Sequence, residues 1–309
     1  MANFYLGDIA LTRIVELESL PWPTQIMLPD CDPEALEKAA PWLSPTHYDR
    51  ADRTFKVGYH TWLVQADGYT LLVDTCVGNC KSRPGLSAFD NLKTDYLENL
   101  ARAGVRPEDV DYVLLTHLHP DHVGWNTRKV DGKWVPSFPN AKFIVSKIEL
   151  EYWDPARNSE IDPIQSAVFE DSVRPIADAG LVVTFDDHFA LNEDFSIRLA
   201  PGHSPGHCVI VARSGDSSAL FCGDILATPA QVIFPDWNDP FCTDNDMARR
   251  TRRSVLEECA DQGHLLVPAH WARPHLAWIV RDGVGFVPHF INKATPEGCP
   301  GKPSVPLPG

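Results

Sequence analysis

The chain has 309 residues, 44% of them hydrophobic and 10% aromatic, enough apolar material for a full core, so disorder of the whole chain is excluded. A formal charge of −15 at neutral pH argues against a surface that tracks phosphates, because nucleic-acid binding draws much of its affinity from Lys and Arg. No apolar run approaches the roughly 18–20 residues of a membrane span, and the first residues lack the positive and apolar regions of a secretory signal, so the expectation is a soluble protein. The eight cysteines form no disulfide framework of the kind found in small secreted domains. Cys76 and Cys80 lack a second pair or a nearby His and read as ordinary thiols, and the expected compartment is a reducing cytoplasm.

Residues 1–54 read as an extended arm packing on the domain, punctuated by Pro21, Pro23, Pro29, Pro33, Pro41 and Pro45, with Asp32–Ala40 its one helical stretch. A proline-fixed arm carrying Trp22 and Trp42 can also wall a pocket. Thr54–Gln65 and Tyr69–Asp74 follow as strands joined by a hairpin turn at Ala66-Asp67-Gly68. Phe89, Leu92, Tyr96, Leu97 and Leu100 have helical spacing and predict a helix over Ser87–Ala103 that stops at Gly104. Val113-Leu114-Leu115 is an apolar strand that delivers the chain into His117. Asp131-Gly132 and Pro136–Pro139 mark a loop, Phe143–Val145 a strand, and Lys147–Trp153 and Asp162–Ala179 helices. Strands are then expected at Leu181–Phe185, Phe195–Ala200, Cys208–Arg213 and Ala219–Cys222, separated by Gly, Asp and Ser turns. Asp244–Gln262 is the last long helix and Leu265–Val267 the last strand. Residues 55–294 read as the catalytic domain, and 295–309, with eight Pro or Gly in fifteen, as a loose tail.

His117-Leu118-His119-Pro120-Asp121-His122 places three histidines and an aspartate within six residues, directly after a buried strand. Imidazole and carboxylate together suit zinc and neighbouring divalent ions. Residues i and i+2 of an extended segment point the same way, so His117 and His119 can share one ion. If the chain turns after them, Asp121 and His122 can face a second.

Thr-His-Leu-His-Pro-Asp-His-Val-Gly resembles the Thr-His-x-His-x-Asp-His signature of the metallo-β-lactamase superfamily. Ala-Pro-Gly-His203, Phe-Cys-Gly-Asp224 and Val-Pro-Ala-His270 resemble its later motifs, in the family's order. Leu-Leu-Val-Asp74-Thr is similar to its early strand, whose Asp supports the site without binding metal. The resemblance implies an αββα sandwich, two mixed β-sheets flanked by helices. It implies His117, His119 and His203 on a first metal, Asp121, His122 and His270 on a second, and Asp224 bridging them. The cofactors implied are two divalent ions, zinc first, with manganese, cobalt or iron as the other candidates. Asp74 and His207 are expected to support ligands from behind.

Two cations roughly 3.5–4 Å apart can share a water and lower its pKa toward neutrality. The expected reaction is hydrolysis of an ester-like bond by a metal-bridging hydroxide, with Asp121 as the catalytic residue returning a proton to the leaving oxygen. Within the resembled family, Glu in place of His119 would mark the flavodiiron type, β-lactam-hydrolysing branches lack a counterpart of Asp224, and glyoxalase II reads Gly-Gly where Gly124-Trp125 stands here. The closest resemblance is to the lactonase and methyl parathion hydrolase-like branch, acting on a lactone, aryl ester or phosphotriester. Quorum-quenching lactonases generally place a Tyr three residues after the bridging Asp, where this chain has Ala227, so a lactonase here needs another donor. The alternatives are a glyoxalase II-like thioesterase and a mononuclear-iron, persulfide dioxygenase-like oxidoreductase. Trp125, Phe234, Trp237 and Trp271 are expected to wall the substrate pocket. The partner expected is a small molecule, apolar or aromatic, with neither nucleic acid nor membrane, and a homodimer stays open.

Overall fold

The structure, a computed structural model, describes residues 3–66 and 68–291. Its strands in chain order begin with β1 (Asn3–Leu6), β2 (Ile9–Pro23), β3 (Tyr48–Asp49), β4 (Thr54–Ala66), β5 (Tyr69–Val73) and β6 (Tyr112–Leu114). A small hairpin, β7 (Thr127–Val130) and β8 (Lys133–Pro136), precedes β9 (Lys142–Ser146) and β10 (Val182–Phe185). The remainder are β11 (His188–Ala190), β12 (Phe195–Leu199), β13 (Cys208–Ser214), β14 (Ser217–Gly223), β15 (Leu265–Pro268), β16 (Ala277–Asp282) and β17 (Gly285–Phe290). One sheet runs β1-β2-β4-β5-β6-β9-β10, with β3 paired to β4, and the other runs β11 to β17 in order. Both are mixed: β5-β6, β6-β9 and β9-β10 are parallel in the first and β14-β15 in the second.

Alternation along the strands sets the layers, because successive side chains leave opposite faces of a sheet. Leu71 and Val73 of β5, with Ile210 of β13 and Phe221 of β14, enter one core between the two sheets. Leu72 of β5 points the other way, into a second core with Tyr96, Leu100 and Phe169 from the flanking helices. Leu220 and Cys222 of β14 enter a third, against Val255, Leu256 and Cys259 of the long helix Asn245–Gln262. Helices outside two facing sheets form the expected αββα sandwich. No helix among the described residues is long and apolar enough to cross a membrane.

Four local expectations differ from what is observed. The N-terminal segment is no mere arm: β2 pairs with β4 along most of its length. Buried Arg13 and Glu16 interrupt its apolar alternation, and Pro21 and Pro23 lie beyond the stretch where β1 pairs with β2, on an edge where a missing N–H is tolerated. The helix expected over Ser87–Ala103 is confined to Tyr96–Arg102. Before it the chain bonds to itself, Cys80 N–H to Leu92 O at 3.0 Å and Asn91 N–H to Lys81 O at 2.7 Å, and Phe89 packs with Tyr59 in a fourth cluster. The loop at Asp131-Gly132 is a two-residue hairpin turn, with φ of 48° and 80° at its centre, as a type I′ turn requires. Finally, β16 and β17 extend the second sheet beyond Leu265–Val267. The hairpin turn at Asp67 and the 295–309 tail lie outside the described residues.

Candidate metal centre

Asp74, the His117–His122 segment, Asp224 and His270 follow the carboxyl ends of β5, β6, β14 and β15, and His203 comes from the loop leading into β13. Loops at the neighbouring ends of the two sheets can converge without disturbing the core below. His119 is extended at the N-cap of the short helix Pro120–Val123, whose first position suits Pro120 because a missing N–H costs nothing there. That turn separates the segment into two directions, as the spacing predicts.

The donor atoms form two groups. His117 Nε2 lies 3.0 Å from His119 Nδ1, which lies 3.0 Å from His203 Nε2, and Asp224 Oδ2 faces this group at 3.5 Å from His203 Nε2 and 3.9 Å from His117 Nε2. His122 Nε2 and His270 Nε2 are 3.2 Å apart, and Asp121 Oδ2 lies 3.8 and 3.5 Å from them. Asp224 Oδ1 completes the second group at 3.2 and 3.0 Å. Around a zinc ion with bonds of about 2.0–2.1 Å, tetrahedral donors lie about 3.3–3.4 Å from one another. Both groups match that spacing, so the seven side chains could hold two divalent ions, with one oxygen of Asp224 turned to each.

Charge agrees with the geometry. Burial and the neighbouring imidazoles push His117 and His119 well below the usual histidine pKa, leaving the neutral form that binds metal. Burial works against a charged His122 as well, but the carboxylates of Asp224, Asp74 and Asp121 hold its pKa well above the usual value. A site that draws a proton onto a buried imidazole is one that a cation suits.

The far ring nitrogens of His117, His122, His203 and His270 each have a partner behind them. Asp74, at φ 56°, accepts from Thr116 N and Oγ1 at 2.8 and 2.7 Å and meets His122 Nδ1 at 2.8 Å, which aims His122 Nε2 at the second group. Such partners fix ring orientation, so Asp74→Ala is expected to weaken metal affinity about 10- to 100-fold, read by competition against a chromophoric chelator; unchanged affinity would assign Asp74 to the strand end alone. His207 Nε2 accepts from Asp224 N–H at 3.2 Å. Gly223 has φ 50°, and a Cβ there would meet His207 Nε2 at 2.6 Å, so the turn into Asp224 needs glycine. His270 Nδ1 meets Gly58 O at 2.9 Å.

Other functional neighbours were not legible in the sequence. Asp239 Oδ1 lies 3.5 Å from His203 Nδ1 and Cys242 Sγ lies 3.7 Å from it; nothing in Trp-Asn-Asp-Pro announces this. Glu149, fully buried, accepts from Leu118 N at 3.1 Å and Trp153 Nε1 at 2.6 Å through one oxygen. Its other oxygen accepts from Ser204 Oγ and Gly206 N, both at 2.8 Å, so one carboxylate ties the His117–His119 segment to the His203 loop. The Ser-x-x-Glu spacing of Ser146 and Glu149 was the available signal, although the Glu serves other loops. Glu149→Gln turns one acceptor into a donor facing donors, and a loss of about 2–4 kcal/mol is expected, measured as a shift of the denaturant midpoint.

The four aromatics expected to wall the pocket lie elsewhere. Trp125 stacks on Tyr96 at 5.1 Å and donates to Glu16 Oε1 at 2.7 Å. Trp271 is fully buried and donates to Leu226 O. Phe234 and Trp237 stack on each other at 3.9 Å. Trp125 and Trp271, next to ligands in sequence, turn into the core, and the half-buried Phe234 and Trp237 pack against the cluster that holds Met27, Tyr59 and Phe89. The cavity over the donors, about 330 Å³, is instead lined by Trp22, Met27, Tyr59, Phe89, Trp153 and Phe241, with His119, Asp121, Asp224 and His270 at its base.

The sequence matches the metallo-β-lactamase superfamily over residues 56–270. The chain belongs to this superfamily. It is similar to the N-acyl homoserine lactonase AttM of Azorhizobium caulinodans, 31% identical over 44% of this chain and 47% of the relative. It is also similar to a hydroxyacylglutathione hydrolase of Aliivibrio fischeri, 32% identical over 38% of this chain and 33% of the relative. The chain thus spans about half the length, or less, of these curated relatives. Among solved structures, AidC, a dizinc quorum-quenching lactonase, superposes with a TM-score of 0.75 at 24% identity over 95% of this chain and 97% of AidC, a likeness of fold.

Proposed function

We propose that this superfamily member is a two-metal hydrolase that cleaves an ester-like bond, in a lactone, aryl ester or phosphotriester, of a neutral and largely apolar small molecule. The observation that carries the reading is the orientation of Asp224, one carboxylate oxygen toward each group of donors. A mononuclear-iron site would leave Asp121, His122 and His270 without a role. His117, His119 and His203 would hold one ion, Asp121, His122 and His270 the other, with Asp224 common to both. Bound there, the pair would activate water and polarise the bond under attack. The chain's own contribution is to orient the ligands from behind, to exclude bulk water with Trp22, Met27 and Phe89, and to set Asp121 at the cavity base, where it would pass a proton to the leaving oxygen.

Substrate charge separates this reading from the thioesterase alternative. No Lys or Arg is among the described residues lining the cavity, whereas Asp121, Asp162, Asp224 and Asp239 are. An anionic glutathione conjugate would find no Lys or Arg in the wall to pair with its outer carboxylates, while a neutral acyl or aryl group would meet Trp22, Phe89 and Phe241. The test pairs metal analysis with turnover of lactones, aryl esters, phosphotriesters and glutathione thioesters. About two metal equivalents with hydrolysis of the neutral esters is the expected result. Turnover confined to glutathione thioesters, or one equivalent of iron with oxygen uptake, would replace the reading.

A further inference from the structure

Of the side chains described as lining the cavity, Tyr59 carries the one hydroxyl. Its ring packs edge-on against His270 with centroids 5.0 Å apart and against Phe89 at 5.1 Å. Its backbone is equally fixed: Tyr59 pairs with Leu17 across β2 and β4, and its neighbour Gly58 exchanges two hydrogen bonds with His270, N–H to His270 O and O to His270 Nδ1, both at 2.9 Å. The hydroxyl is therefore held beside a metal-site histidine by a strand and two packed rings.

Its hydrogen bonding is lopsided. Trp22 Nε1 donates to Tyr59 Oη at 2.9 Å, and among the described residues this is the only hydrogen bond of that oxygen. The indole has no acceptor capacity, so the Tyr59 proton is not directed at Trp22. Accepting one hydrogen bond also strengthens a hydroxyl as a donor. Two other lining donors are already engaged: Trp153 Nε1 donates to Glu149 and Gln165 Nε2 to Leu118 O, both at 2.6 Å. Ala227, three residues after Asp224, lines the same cavity with a methyl group and offers nothing to an oxygen.

We propose that the Tyr59 hydroxyl donates to the carbonyl oxygen of the bound substrate and steadies it as negative charge builds there. The proton stays on Tyr59 throughout, so no bond of the residue is made or broken. Donors aimed at developing charge in a water-poor site carry a large share of a rate enhancement. The inference rests on the ester-like substrate proposed above, and it places the donor on β4 instead of on the turn after Asp224.

The experiment compares the metal-loaded wild-type protein with Tyr59→Phe and with Tyr59 replaced by 3,5-difluorotyrosine, which keeps the shape and makes a stronger donor. Turnover of a lactone and an aryl ester is measured, and so is the infrared carbonyl band of a bound, unhydrolysed lactam. Tyr59→Phe is expected to lower kcat by about a hundredfold to a thousandfold with a smaller change in KM, and to move the lactam band up in frequency, while difluorotyrosine moves it down. Full activity and an unmoved band in Tyr59→Phe would overturn the proposal and leave the hydrolase reading intact. A wild-type protein that hydrolyses no ester but shows the variant-dependent band would overturn the hydrolase reading and leave the Tyr59 contact standing. A band that follows neither variant assigns Tyr59 to holding Trp22 alone.

Discussion

Asp224→Ala is expected to lower metal content from about two equivalents to about one and to reduce kcat by about four orders of magnitude. The size follows from what the residue touches. Its two oxygens lie 3.0–3.9 Å from His117, His122, His203 and His270, so one truncation takes a donor from both groups and removes the carboxylate they share. The buried imidazoles of His122 and His270 also lose the carboxylate that does most to favour their charged form. A ten-thousandfold loss corresponds to about 5.5 kcal/mol of transition-state stabilisation, a reasonable total for a two-cation arrangement reduced to one. Metal analysis by mass spectrometry together with single-turnover rates checks both halves. Two tightly held equivalents and near-normal turnover in the variant would show that the carboxylate does not join the two groups.

The second large effect is at Asp121, where Asp121→Ala at saturating metal is expected to lower kcat by about a thousandfold or more. Asp121 Oδ2 belongs to the second group of donors, and the residue also lines the cavity where a leaving oxygen would depart. Substrates with leaving groups of different basicity separate those two positions. If Asp121 supplies a proton, the loss is greatest for an alkyl lactone and least for an aryl ester whose phenolate leaves unaided. Equal losses across the series would confine the residue to metal holding, and unchanged turnover would remove it from the reaction.

The centre was legible where chemistry is concentrated in chain order. His117, His119, Asp121 and His122 lie within one turn of a strand end, and the i, i+2 geometry of the first pair and the turn at Pro120 both appear in the structure as the spacing requires. Asp224 and His270 each follow a short apolar strand, so their place at one edge followed from the fold. Glu149, Asp239 and Glu16 were not legible, because a buried carboxylate is recognised by its partners, and those come from segments far away in sequence. The helix expected over Ser87–Ala103 failed for a related reason: Phe89 and Leu92 owe their spacing to packing against Tyr59 and its neighbours, not to a helical face. Trp125 and Trp271 failed as pocket walls because adjacency in sequence to a ligand does not say which side of the backbone faces the cavity, and Phe234 and Trp237 because their rings stack on each other.

Trp22 and Met27, which form part of the cavity wall, come from outside residues 56–270, whereas every metal-site side chain lies inside that span. This part of the wall and the metal donors can therefore vary separately. Changes at the outer end of β2 and the short helix after it would reshape what the cavity accepts without touching any of the seven metal-facing side chains, which makes residues 20–30, Trp22 with its bond to Tyr59 excepted, the natural place for selection, or for a protein engineer, to redirect this scaffold to a new substrate.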